Sequence, residues 1–198
     1  VSLIWSEDLL RRALRQPAGP TSDFDLNPDV APPAGQLRQA GVLIAFHEDD
    51  GRLVLTKRAA TMRHHPGQIA LPGGKVDPAD ADAIAAALRE AHEEVALPPD
   101  QAEVMGTLPA HRTVTSFAIR PVVAVIRGSF TPRPEPGEVA EAFCLPFAHI
   151  ANPALYRVEG RFWRGTWRSY HAAPYGPYYL WGATARILWS LANRLNAA

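Results

Sequence analysis

The chain has 198 residues, 47% hydrophobic and 20% charged, with 14 glycines and 19 prolines, so disorder or low complexity throughout is excluded. Twenty Lys and Arg balance twenty Asp and Glu, which argues against a general nucleic-acid or membrane-surface binder. Cys144 is the only cysteine, which excludes an internal disulfide framework or a cysteine zinc cluster.

No apolar run approaches the roughly 18 residues needed to span a bilayer, and Val1–Asp8 lacks the basic-then-apolar order of a signal peptide. The expectation is a soluble cytoplasmic protein acting on a small molecule, with neither nucleic acid nor membrane as partner.

Ser6 is placed to cap a first amphipathic helix carrying Leu9, Leu10, Ala13 and Leu14 on one side. A loop from Pro17 to Pro33 is too long for a simple turn and reads as either a surface wrap or a mobile segment. Gly41–Phe46 reads as a buried strand, followed by an acidic turn (Glu48, Asp49, Asp50, Gly51) and a return strand, Leu53–Thr56.

The stretch Ala83–Val95, alanine-rich and stopped by Pro98 and Pro99, is the clearest helix. Val104–Leu108, Thr113–Ile119, Val122–Ile126 and Phe143–Phe147 read as strands. Trp163–Tyr170 and Tyr178–Trp181 read as strand or irregular structure. A last helix, Ala183–Leu195, places Ile187, Leu188, Leu191 and Leu195 on one face. Irregular alternation of strands and helices predicts an α/β fold, a mixed sheet flanked by helices.

Glu90, Glu93 and Glu94 are three and four residues apart, so helical geometry puts their carboxylates on one face. Ile84, Leu88, Ala91 and Val95 form a separate apolar stripe, which leaves the acids facing an open site. Three acids near a helix C-terminus oppose both one another and the macrodipole, and a hard divalent cation reverses that repulsion. From Gly51 to Val76 there is no acid, whereas Arg52, Lys57, Arg58, Arg63 and Lys75 are basic. A basic segment feeding through Gly73-Gly74 into an acid-faced helix suits a polyphosphate bridged by cations. Arg58 and Arg63 are candidate phosphate ligands, with an ordinary solvated loop as the alternative for each.

On these residues the sequence resembles the Nudix hydrolases. Their box is written G-x5-E-x7-R-E-U-x-E-E-x-G-U, with U apolar, and the chain matches it at Gly74, Arg89, Glu90, Ala91, Glu93, Glu94 and Leu97. Asp80 stands for the first glutamate, one residue farther from Arg89 than in the pattern, and Ala96 stands for the final glycine. Upstream, Val54-Leu55-Thr56-Lys57-Arg58-Ala59, Arg63, Gly67 and Leu71-Pro72-Gly73-Gly74 are similar to L-L-T-x-R-(S/A)-x3-R-x3-G-x3-F-P-G-G of the coenzyme A pyrophosphatase branch. Tyr178–Arg186 is similar, more weakly, to the end of that branch.

The resemblance implies one Nudix-type α/β/α sandwich over 1–198: an N-terminal helix and loop at 1–35, a core at 36–150 and a C-terminal extension at 151–198. It implies Mg²⁺ or Mn²⁺ on Glu90, Glu93 and Glu94, and substrate binding by Arg58, Arg63, Gly73, Gly74 and Lys75. Asp80 and Arg89 would brace the box. The activity implied is cleavage of CoA or acyl-CoA to 3′,5′-ADP and (acyl-)4′-phosphopantetheine. Another nucleoside diphosphate derivative (ADP-ribose or a dinucleotide) and a non-catalytic nucleotide-binding module are the alternatives.

Glu138 occupies a loop where such enzymes often keep a further metal-binding or base carboxylate, and Glu90 and Glu93 are equally open as the base. His64 and His65 read as exposed, Cys144 as packing, and Tyr175, Tyr178, Tyr179 and Trp181 as core or interface more readily than as an adenine platform. A homodimer is left open.

Overall fold

The computed structural model describes residues 3–32, 34–163 and 165–198. Helix α1 (Glu7–Arg15) starts at Ser6, whose hydroxyl accepts the Leu9 amide at 3.2 Å, and buries Leu9, Leu10 and Ala13. Its acids lie in the first turn and its arginines in the last, in keeping with the helix dipole.

Strand β1 (Thr21–Ser22) follows, then β2 (Arg38–His47), longer at both ends than the sequence predicts. Strand β3 (Leu53–Arg58) returns from the acidic turn, but the two strands pair only at Phe46 and Leu53 before diverging. The chain that follows enters the opening: β4 (Ile69–Ala70) pairs with β3, and β5 (Gly73–Lys75) pairs antiparallel with β2. These short strands were not legible, because three glycine-rich residues carry no alternation.

Strand β2 runs parallel to β8 (Phe117–Ile126) along its whole length. The expected break at Pro121 is absent. On the far side of β8, β6 (Ala102–Thr107) pairs with residues 122–126 and β7 (His111–Arg112) with residues 118–119. Pro121 falls where one neighbour gives way to the other, so its missing N–H leaves the ladders on that side intact. Thr113–Ser116, expected as strand, forms the turn before β8.

Strand β9 (Val139–Leu145) pairs antiparallel with β3, with a register shift at Lys57/Arg58. It ends before Phe147, which opens the short helix α3 (Phe147–Ile150). Among the described residues these nine strands form one mixed sheet.

Alternation along β2 sends Ile44 and Phe46 to one face and Leu43 and Ala45 to the other. Helix α2 (Ala83–Val95), with the predicted bounds, covers the Leu43 face, while α1 and α4 (Gly182–Ala197) cover the Phe46 face. The expected sandwich of a mixed sheet between helices is observed.

The face of α2 against the sheet includes the expected stripe of Ile84, Leu88, Ala91 and Val95 but is centred on the alanines. Ala86, Ala87, Ala91, Glu94 and Val95 are buried, while Ile84 and Leu88 flank them half-buried. The cause is Gly41: a Cβ there would lie 1.9 Å from the Ala83 carbonyl oxygen. With no side chain in between, the alanine edge of the helix sits directly on the strand and rotates Glu94 inward.

A second sheet contains β10 (Arg157–Trp163), β11 (Thr166–Tyr175) and β12 (Tyr178–Trp181), all antiparallel, and leads into α4. Of Trp163–Tyr170, read as strand or irregular structure, Trp163 ends β10 and Thr166–Tyr170 lies in β11; Arg164 lies outside the described residues. Tyr178 stacks on Phe143 at 3.7 Å, Trp181 meets Tyr170 edge-on, and Tyr179 bonds Glu159 at 2.6 Å.

The loop after α1 is a wrap. β1 pairs with β7, the Asn27 side-chain amide exchanges two hydrogen bonds with the Ser169 backbone, and Asp25 meets Arg186 at 2.8 Å. Its predicted end, Pro33, lies outside the described residues.

Candidate functional site

Helix α2 begins at Asp82, whose carboxylate accepts the Ile84 and Ala85 amides at 2.8 and 2.9 Å. It ends at Ala96, held at φ 58° with its N–H returned to Ala91 and His92. The last carbonyls of the helix, those of Glu94 and Val95, accept from the amides of Glu135 and Arg133 at 2.9 and 3.0 Å. This satisfies groups every helix end leaves free, and it docks the 133–138 segment on the end of α2.

Arg89 organises the acids. Its Nε and Nη2 each donate to Asp80 at 3.0 Å, forming a two-point grip, and Nη2 also donates to the Lys75 carbonyl at 3.2 Å. Its Nη1 donates to Glu90 and to Glu93, both at 3.0 Å. The guanidinium holds the Asp80 carboxyl below its ordinary range, and the acids raise the arginine in turn. The shorter acid and the extra residue thus still reach Arg89, because Asp80 turns back to accept the Asp77 amide at 2.8 Å. Sequence reasoning missed Asp77, 3.8 Å from Arg89; its spacing of three from Asp80, with Pro78 between, was the available signal of a β-turn.

The three glutamates differ in depth, a correction to the open acidic face. The Glu93 side chain is 56% exposed, that of Glu90 18% and that of Glu94 6%. Glu94 accepts the Gly73 amide at 3.2 Å and lies 4.0 Å from the Arg58 guanidinium. Burial pushes its pKa up to about 7, with Glu90 and Glu138 adding to the rise and the Gly73 amide and Arg58 opposing it. Burial also raises Glu90, against the pull of Arg89. Glu138 contributes to both shifts, so the docked segment brings it to the same site.

The two glycines are there for space. A Cβ on Gly74 would lie 2.3 Å from a Glu90 carboxylate oxygen. One on Gly73, at φ +152°, would meet the Gly41 carbonyl at 2.4 Å.

The site thus gathers Glu90, Glu94, Glu138, Gly73, Gly74 and Arg58. Glu93 stays at its rim on Arg89. Lys75 offers Arg89 its backbone, with its side chain exposed, and Arg63 stands exposed on the loop between β3 and β4.

The donor set fits a hard divalent cation: buried carboxylates that repel one another, with one arginine as partial counter-charge. Among the described residues no three His, Cys, Asp or Glu side chains already converge on one point. Glu93 in particular points to Arg89.

Residues 37–164 match the family model described as the NUDIX domain. Proteins named uncharacterized Nudix hydrolase NudL from Enterobacter sp. (strain 638) and Cronobacter sakazakii (strain ATCC BAA-894) are each 42% identical to this chain over 172 residues, spanning 86% of it and 90% of their own length. The MutT protein from Methanosarcina mazei Go1 shares the fold with a TM-score of 0.53 at 17% identity, over 84% of this chain and all of that one. Nudix hydrolases generally use divalent metal ions, in keeping with the carboxylates gathered on α2. With this match over more than half its length, and relatives alike almost end to end, the chain belongs to the Nudix family of hydrolases.

Proposed function

We propose that the chain hydrolyses the pyrophosphate bond of CoA or acyl-CoA, releasing 3′,5′-ADP and (acyl-)4′-phosphopantetheine, with Mg²⁺ or Mn²⁺ as cofactor. The observation that carries the reading is Glu94, a buried carboxylate with a neutral-range pKa between the Gly73 amide and Arg58. Gly73, Arg58 and Glu90, which act on its carboxylate, come from the two sequence motifs, and Glu138 does not.

Glu90, Glu94 and, once released by Arg89, Glu93 would hold the ion. Bound there, it would neutralise the diphosphate and acidify an attacking water. Arg58, 4.0 Å from Glu94, would then have a second anion to serve by taking a phosphate oxygen. Glu138 comes from the segment docked on the end of α2 rather than from the helix itself, and would suit the acceptance of the water's proton. Arg89 and Asp80 orient the acids without touching the diphosphate. Arg63 and Lys75 would meet substrate from the rim. The CoA assignment rests on the Val54–Gly74 motif, and the 1–198 chain is taken as one catalytic unit acting in the cytoplasm.

Turnover of CoA, 3′-dephospho-CoA and ADP-ribose, each with Mg²⁺ and with Mn²⁺, separates the readings. CoA preferred by about tenfold or more, some 1.4 kcal/mol in transition-state binding, supports the proposal. The same preference for ADP-ribose replaces CoA, and no turnover of any of the three removes the enzymatic reading of the site.

A further inference from the structure

The outer edge of β10 is the longest open strand edge outside the catalytic sheet. β10 pairs with β11 on one side, and among the described residues no strand covers the other. Such an edge offers unpaired backbone donors and acceptors and is normally blunted. Here it carries large apolar groups instead. Val158 is 59% exposed and Phe162 71%, on the same face as Trp167, which is 60% exposed and pairs with Phe162. On the opposite face the strand alternates charge: Arg157, Glu159, Arg161.

We propose that this edge joins a second copy of the chain, β10 to β10 antiparallel about a two-fold axis at Gly160, to make one six-stranded sheet. A two-fold pairing of one edge with itself must place residues of equal parity opposite each other. Three registers then overlap most of the strand. Centring on Glu159 sets Glu159 against its own copy, and centring on Arg161 sets Arg161 against its own copy. Centring on Gly160 uses all seven residues and sets Glu159 opposite Arg161 of the second copy, twice by symmetry. In that register Val158 also faces Phe162 of the second copy, covering both apolar groups. Opposed charges and apolar cross-strand pairs are each favourable, and like charges directly opposite are not. The single glycine of the strand sits on the axis, its face covered by the Trp167 indole of its own hairpin, which a Cβ there would meet at 2.5 Å.

The sequence of the strand is therefore complementary to itself in one register, which identifies the occupant as another copy. The pairing is independent of the catalytic reading, since none of its residues belongs to the α2 site.

Sedimentation velocity on the intact chain and two variants tests it. The parent protein is expected to be dimeric at micromolar concentrations. Glu159→Arg and Arg161→Glu should each weaken the dimer about tenfold or more, because two favourable pairs become two repulsive ones. An equimolar mixture of the two variants should restore it, since arginines on one chain then face glutamates on the other. A monomeric parent, a single variant as dimeric as the parent, or a mixture that stays monomeric would each overturn the proposal. Glu159 also bonds Tyr179, and Arg161 stacks on Trp181 at 4.4 Å, so each variant also loses a contact within its own chain. Amide hydrogen exchange of the unmodified protein covers that case. Amides of β10 should exchange more slowly at high than at low concentration, and equal rates would reject the pairing.

Discussion

A carboxylate taken out of water costs several kcal/mol unless something compensates it, and among the described residues Glu94 has one amide and a guanidinium at 4.0 Å. The arrangement makes Arg58 a counter-charge to Glu94, and the proposed function makes it a grip for substrate as well. Arg58→Ala is expected to raise the KM for CoA about tenfold, the scale of one charged hydrogen bond lost, and an unchanged KM counts against that role. Ala96 carries a different burden: it holds the left-handed conformation (φ 58°) that ends α2, which costs a residue with a Cβ roughly 1 kcal/mol. Ala96→Gly should therefore stabilise the protein by about 0.5–1 kcal/mol in urea unfolding, and a loss of stability contradicts this. The substitution of the family glycine was legible in the sequence. Its strain was not, because the final position of a box says nothing of φ.

Helix α2 shows how far elements were legible. Its bounds followed from alanine content and the paired prolines, and its acidic spacing from helical geometry, yet its rotation did not. Rotation is set by Gly41 on another element forty residues upstream, which lets Ala83 and Ala87 touch β2 and turns Glu94 inward. Gly41→Ala is expected to cost about 3 kcal/mol, since the new methyl meets backbone that has no rotamer to escape into. Urea unfolding within 0.5 kcal/mol of the parent would show that the helix is free to shift. The same lesson holds for β8, where Pro121 reads as a break until its neighbours are known, and for the 133–138 segment. Nothing local in that segment announces that its amides finish α2 and bring Glu138 to the site.

At the scale of the molecule, the N-terminal wrap, the second sheet and α4 close over a cluster of ionisable groups. His171 is buried against Trp189 at 4.7 Å, and burial together with Arg186 holds its pKa at about 4, from an ordinary 6.5. The unfolded chain takes up the proton between those values and the folded chain does not, so stability rises with pH through that window and is lost as pH falls. The loss between about pH 6.5 and pH 4 is on the order of 3 kcal/mol, and His171→Phe, which keeps the ring contact, should remove that share of the pH dependence. Identical pH profiles for variant and parent contradict it. None of this cluster was visible beforehand, because its members are brought together only by the wrap over β7 and β11.

The acids of α2 have a chemical purpose only if they take a cation against the diphosphate. Titration of Mn²⁺ into the parent protein and Glu94→Gln, followed by electron paramagnetic resonance, reads this directly. The variant should fold with an unchanged melting temperature or a higher one, bind the ion about tenfold or more weakly, and turn over CoA about a hundredfold more slowly. Equal Mn²⁺ affinity and equal turnover in a folded Glu94→Gln protein would contradict the assignment of that carboxylate.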